Sequence, residues 1–299
     1  MDGTAPAIEF DRLTKYYGRQ RGIEDVSFTV DPGEVVGFLG PNGAGKTTTM
    51  RTLLGLLHIT AGAARLLGVD VASAPPALRH RVGYLPGALE LYENLTGRAY
   101  LTFLARMRGR DLTDAFEGLS TRLDLDLGRH IHDLSKGNRQ KIGVVQAFMH
   151  DPDVLILEEP TGGLDPVAQR EFEALLEERR NGGAAVLLSS HVLSEVDHLA
   201  QRVAIIDQGR LVTVEHIDEL KEKAARTLDF DFPQPIDAAE FGCLPGVTEA
   251  FAHGTRISCT IVGAETDALA KAVALGVTGV HTHDASLEDV FFELVGRRE

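Results

Sequence analysis

"GPNGAGKTT", Gly40 to Thr48, is the stretch on which the reading of this chain turns. Its residues Gly40, Pro41, Asn42, Gly43, Ala44, Gly45, Lys46, Thr47 and Thr48 fit the pattern G-x-x-x-x-G-K-[ST]. The apolar run "VVGFL" precedes it, and helical apolar spacing follows from Lys46 to Leu57. That is the strand–loop–helix setting in which the pattern has a mechanism. Glycines let backbone N–H groups curl around a phosphate with no Cβ in the way. The helix N-terminus adds partial positive charge. Lys46 is placed to reach the β- and γ-phosphates, and the Thr47 hydroxyl to ligate Mg²⁺. The stretch predicts a nucleoside triphosphate site.

Farther along, "VLILEEP" (Val154 to Pro160) reads as a buried strand that ends in two adjacent carboxylates, Glu158 and Glu159. An unpartnered buried charge costs several kcal/mol, so a cation is expected at that strand end. Downstream of a phosphate loop, the expected cation is Mg²⁺, held by Glu158 through a water. Glu159 is then expected on the γ-phosphate side, orienting or deprotonating the attacking water. The bland alternative is a pair of acids on a solvated strand end.

Bulk composition narrows the partners. The chain has 299 residues, 43% hydrophobic and 25% charged, as an ordinary globular protein does. A formal net charge of −14 argues against nucleic acid, which requires a basic surface. Cys243 and Cys259 have no metal-like spacing and suggest a reducing compartment without disulfides. No signal peptide is read at the start, and no run approaches the ~18 apolar residues of a membrane span. The expected location is cytoplasmic, unless a partner holds the chain at a membrane.

Apolar strand-like runs ("VLIL", "AVLLSS", "VAII") alternate with helical stretches, which predicts a largely parallel sheet covered on both faces. Residues 92–125 read as mainly helical, with Leu95, Tyr100, Leu101, Phe103, Leu104 and Met107 on an apolar face. Near residue 226 the pattern changes to short strands and helices, and 226–299 is expected to form a small α+β domain of ferredoxin-like character.

Several ordered elements across roughly residues 8–225 resemble the ATP-binding subunits of ABC transporters. "LSKGNRQ" (Leu134 to Gln140) matches that family's signature motif, with Ser135, Lys136, Gly137 and Asn138 at its centre. "TGGLDP" looks like the D-loop, with Asp165 in place; "LLSSH" ends in His191, similar to the switch histidine near the γ-phosphate; "TKYYG" offers Tyr17 as the aromatic that stacks on adenine. The resemblance implies an α/β P-loop NTPase fold of ABC type over residues 7–225, with an antiparallel β subdomain and a helical subdomain at about 88–150. It implies ATP and Mg²⁺ as cofactors and a head-to-tail dimer, in which one subunit's P-loop and the other's signature sandwich each ATP. That dimer would be a homodimer or a pair with a related ATPase subunit. It also implies a separate transmembrane permease as partner, which would hold the chain on the inner face of the membrane. "LPGALELYENLTG" and the ending "SLEDVFFELVGRRE" look most like bacterial drug- and antibiotic-exporter subunits.

Two positions depart from the family pattern. Glu158 stands where the family usually has Asp, and Gly87, after "YLP", stands where it usually has Gln or Glu. These departures leave open a slow or non-hydrolytic module that uses ATP for docking. A soluble ABC-type ATPase acting on nucleic acid or the ribosome is the other alternative. Arg98, Arg106, Arg108 and Arg110 cluster near the helical region and suit either a solvated face or contact with a partner or lipid. "HIHD" and "HTHD" (His130–Asp133, His281–Asp284) show no further ligands nearby and are read as surface or packing histidines.

Overall fold

The computed structural model describes residues 5–190, 192–283 and 286–296. Two compact units meet in the chain between Val214 and Glu215. The change expected after residue 225 therefore comes earlier: the helix Ile217–Lys223 belongs to the second unit, where it contacts the final helix Leu287–Gly296.

The first unit begins with strands β1 (Ile8–Tyr17), β2 (Gln20–Val30) and β3 (Val35–Leu39), followed by helix α1 (Lys46–Leu53). Strands β4 (Ala61–Leu66), β5 (Val69–Asp70) and β6 (Val82–Leu85) follow, then helices α2 (Gly97–Met107), α3 (Thr113–Arg122) and α4 (Lys136–Phe148). After β7 (Val154–Glu158) come α5 (Pro166–Asn181), β8 (Ala185–Ser189), α6 (Leu193–Leu199), β9 (Arg202–Asp207) and β10 (Arg210–His216), the division falling within β10 after Val214. A four-stranded sheet has the order β2-β1-β4-β5, with antiparallel pairing. A six-stranded sheet has the order β10-β9-β3-β8-β7-β6, parallel from β9 through β6.

The apolar runs dictate that second sheet. β3, β7 and β8 are buried at every residue, as strands covered on both faces must be. Alternation sends Leu155, Leu157, Val186 and Leu188 into the core shared with α4 and α5. Val154, Ile156, Ala185 and Leu187 go to the opposite core, shared with α1 and the antiparallel sheet. Two cores thus clamp the strand ends from which the phosphate loop and the paired acids emerge.

In the helical region Tyr100 and Leu101 are buried and Leu95 and Leu104 partly so. Phe103 and Met107, expected on the same apolar face, are instead 40% and 67% exposed. Both lie on the outer side of α2, where Phe103 meets Tyr92 edge-on.

The second unit runs α7 (Ile217–Lys223), β11 (Arg226–Asp231), α8 (Ala239–Gly242), β12 (Val247–His253), β13 (Arg256–Ile261), α9 (Thr266–Ala274), β14 (Gly279–His283) and α10 (Leu287–Gly296). From β11 to β14 this is β-α-β-β-α-β, with sheet order β12-β13-β11-β14 and antiparallel neighbours. Its core stacks Phe230 on Phe241 at 5.3 Å. No helix among the described residues is long and apolar enough to cross a membrane.

Candidate functional site

The loop from Gly40 to Gly45 links β3 to α1, and two of its glycines have no substitute. A Cβ on Gly40 would lie 2.2 Å from the Ile206 carbonyl oxygen. Gly45 has φ +113°, and a Cβ there would meet Ile23 Cγ2 at 2.6 Å. The Lys46 side chain turns back over the loop, donating to the carbonyls of Gly40 at 2.5 Å and Pro41 at 3.2 Å. Burial lowers the Lys46 pKa, against the opposing pull of Glu159 and Glu158.

Glu158 ends β7 and is 4% exposed. Its Oε2 accepts from Thr47 Oγ1 at 2.6 Å, and its Oε1 accepts from the Tyr84 hydroxyl at 2.6 Å. Burial, then the Glu158 hydrogen bond, pushes the Tyr84 pKa well up, so the phenol remains a donor. Glu159 follows with φ +48°, an uncommon conformation for a residue with a Cβ. Its N–H donates to the Ser189 carbonyl at 2.8 Å, and Gln140 Nε2 donates to the carbonyls of Glu159 (3.1 Å) and Pro160 (2.9 Å). The backbone kink at the second acid is thereby held from both sides. Gly87 lies over them: a Cβ there would be 3.5 Å from Glu158 Cβ and 4.0 Å from Glu159 Cγ.

The phosphate loop and the two acids line one cleft of about 490 Å³. Asn42 through Thr48, Gly87, Glu158, Glu159 and Ser189 line its inner part, and Tyr17 stands at its rim. Tyr17 is 47% exposed, with its hydroxyl 3.5 Å from Thr48 Oγ1 and Lys15 Nζ 5.3 Å from the ring centroid. Thr47 Oγ1 and Glu158 Oε2 form a compact pair of hard oxygen donors, the donor set that suits Mg²⁺ alongside phosphate oxygens.

Ser135, Lys136, Gly137 and Asn138 are not among the residues lining that cleft. They open α4, where Ser135 Oγ accepts from the Asn138 N–H at 3.2 Å. A Cβ on Gly137 would lie 2.5 Å from the Gly163 carbonyl oxygen, so this helix start is set directly against the "TGGLDP" turn. Asp165 caps α5 by accepting from the Val167 and Ala168 N–H groups, and Lys141 Nζ lies 3.4 Å from its carboxylate. The backbone bond from Ala168 is the main reason its pKa is lowered. His191 lies outside the described residues.

Sequence reasoning passed over Tyr84, Ser189 and Glu195. Glu195 Oε2 accepts from Thr161 Oγ1 at 2.6 Å and Ser190 Oγ at 3.1 Å, tying the turn after the acids to the end of β8. The arginine cluster is largely absorbed by the fold. Arg98 pairs with Glu117, Arg110 Nη1 donates to the His150 carbonyl at 3.1 Å, and half-buried Arg108 donates to the Arg79 carbonyl at 3.4 Å. His281 and His283 lie 3.1 and 3.3 Å from Asp231 and Asp229, and Asp284 lies outside the described residues. No group of three or more His, Cys, Asp or Glu among the described residues could hold a metal.

A family model described as "ABC transporter" matches residues 23–162. The chain is 33% identical over 298 residues to the Nod factor export ATP-binding protein I of Paraburkholderia xenovorans (strain LB400), with 97% of each covered. It is 32% identical over 303 residues to the bacitracin transport ATP-binding protein BcrA of Enterococcus faecalis, covering 97% of this chain and 96% of that one. Among solved structures it is similar to an ATP-binding subunit of an ABC transporter, with TM-score 0.69, 32% identity, and 72% of this chain and 92% of that one covered. With identity above 30% over nearly the whole of both chains, the chain belongs to the ATP-binding subunits of ABC transporters.

Proposed function

We propose that this chain hydrolyses Mg·ATP and couples ATP-driven pairing of two such subunits to export through a separate membrane permease. The observation that carries this reading is the buried Glu158–Thr47 pair beside the kinked Glu159 in the cleft of the phosphate loop. Thr47 and Glu158 would hold Mg²⁺, which supplies charge neutralisation of the phosphate oxygens when bound. Glu159 orients and deprotonates the attacking water, and Lys46 leaves its loop carbonyls for the β- and γ-phosphates. Tyr17 stacks on the base at the cleft rim, and His191 acts at the γ-phosphate.

The second anion surface, at Ser135 and Gly137, lies outside the cleft of its own chain. A partner subunit's signature serves that role in a head-to-tail sandwich, with Asp165 at the seam. Two acidic subunits then meet when ATP and Mg²⁺ bridge them and part after hydrolysis. The exported compound is read as a drug, antibiotic or lipid-like substrate, with the chain held at the inner membrane face by its permease; relatives named for Nod factor export and bacitracin transport support an export role. Gly87, which offers no side chain to the acids, favours a second reading: a module that binds ATP and pairs without turnover.

The test is Mg·ATP hydrolysis by the wild-type chain and Glu159→Gln, with size followed by gel filtration. The expected result is cooperative turnover by the wild type and an ATP-trapped dimer of Glu159→Gln with turnover at least ~100-fold lower. Pairing without turnover by either form, with or without the permease, selects the second reading.

A further inference from the structure

Glu158 has three side-chain torsions and sits on a strand end that is almost closed to water. A carboxylate so placed has to be held at both oxygens, or it samples more than one orientation at the point where Thr47 meets it. Thr47 holds one oxygen from α1. The other is held from the neighbouring strand. β6 runs parallel to β7, with Tyr84 beside Ile156, so Tyr84 shares a sheet face with Ile156 and, two residues on, Glu158. A phenol is long enough to pass Ile156 and reach the strand end, where its hydroxyl meets Glu158 Oε1 at 2.6 Å. Gly87, three residues after Tyr84, comes within 3.7 Å of Glu158 Oε2 at its would-be Cβ yet has no group with which to hold it.

Building on the Mg·ATP reading above, we propose that Tyr84 is the positioning residue for Glu158: its hydroxyl fixes one carboxylate oxygen so that the other faces Thr47 and the metal. The role is specific to glutamate at this position. An aspartate, shorter by ~1.5 Å, cannot reach Tyr84 and Thr47 together, so Tyr84 matters only while residue 158 is Glu. This makes the tyrosine and the extra methylene one device, and their effects on metal binding are coupled rather than additive.

The experiment measures Mn²⁺ binding by electron paramagnetic resonance, with protein in excess over a non-hydrolysable ATP analogue so that little free analogue chelates the metal. The proteins are the wild-type chain, Tyr84→Phe, Glu158→Asp and the double variant. Analogue affinity in EDTA is measured alongside. Tyr84→Phe is expected to weaken Mn²⁺ about 10-fold, in the range for groups that orient metal ligands, while leaving the metal-free analogue affinity within about twofold. In the Glu158→Asp background the same substitution is expected to change Mn²⁺ affinity by less than about twofold. An equal loss in both backgrounds, no loss in Tyr84→Phe, or an equal loss of metal-free analogue affinity overturns the proposal. A wild-type chain that binds analogue but no Mn²⁺ overturns the metal reading on which it rests, which the wild-type sample alone reveals.

Discussion

The Thr47 hydroxyl and the Glu158 carboxylate are 111 residues apart in the chain and 2.6 Å apart in space. The first opens α1 after the phosphate loop, the second closes β7, and two separate cores hold those elements in place. The bond therefore reports that the first unit has closed correctly before any nucleotide arrives. Thr47→Val keeps the side-chain shape and removes the donor, leaving a buried carboxylate with one hydroxyl fewer. The expected cost is about 1–3 kcal/mol in the nucleotide-free chain, read from the urea midpoint of the first unit's transition. An unchanged midpoint would show that water replaces the hydroxyl at no cost.

Gly87 is a glycine without need of one. A Cβ there falls at 3.5 Å or more from every neighbour, and its φ is not positive. Gly87→Ala is expected to leave stability within about 0.5 kcal/mol and turnover within a factor of about three. A large loss of turnover with an unchanged melt would mean that backbone mobility at 87 enters the cycle.

How far the sequence discloses this site depends on the range of the interactions. The phosphate loop is legible because its glycines, lysine and threonine act through local backbone geometry. β3, β7 and β8 are legible because burial on two faces leaves apolar residues at every position. Tyr84 is not, since one tyrosine in "VGYLPG" acquires its partner only when β6 pairs with β7. Helical periodicity likewise grouped Phe103 and Met107 with Leu101, but spacing alone does not say where an apolar stripe stops being covered. The division at Val214 was hidden for a similar reason, because α7 owes its allegiance to α10, at the far end of the chain.

Two glycines on helices should respond in opposite directions. Gly118 in α3 has nothing within 4 Å of a would-be Cβ, so Gly118→Ala removes only backbone freedom and is expected to stabilise by about 0.5–1 kcal/mol. Gly137 at the start of α4 would drive its Cβ to 2.5 Å from the Gly163 carbonyl oxygen. Gly137→Ala must separate two backbones and is expected to destabilise by about 1–3 kcal/mol. Thermal melts of the two variants beside the wild type check both signs; a neutral Gly137→Ala would mean that the "TGGLDP" turn yields easily.

His150 gives the fold a dependence on pH. It is 2% exposed, its Nε2 lies 3.1 Å from the Val82 carbonyl oxygen, and its Nδ1 has no hydrogen-bond partner. Burial first, then the positive charge of Arg108 and, beyond the backbone bond that opposes them, Arg110 and Arg179, lowers its pKa to about 4. The unfolded chain, with an ordinary histidine near 6.5, therefore binds more protons between pH ~4 and ~6.5. Stability must rise with pH across that window and level off above it, so this group costs nothing at pH 7.5 and on the order of 3 kcal/mol by pH 4. His150→Gln removes the titration, and its own fixed cost applies at every pH. The expected observation is that the urea midpoint of the wild type falls more steeply than that of His150→Gln from pH 6.5 to 4.5. The gap between them should be constant from pH 7 to 8. Parallel falls at acid pH would mean that His150 takes up its proton inside the fold, and that the arginines around it give way to admit water.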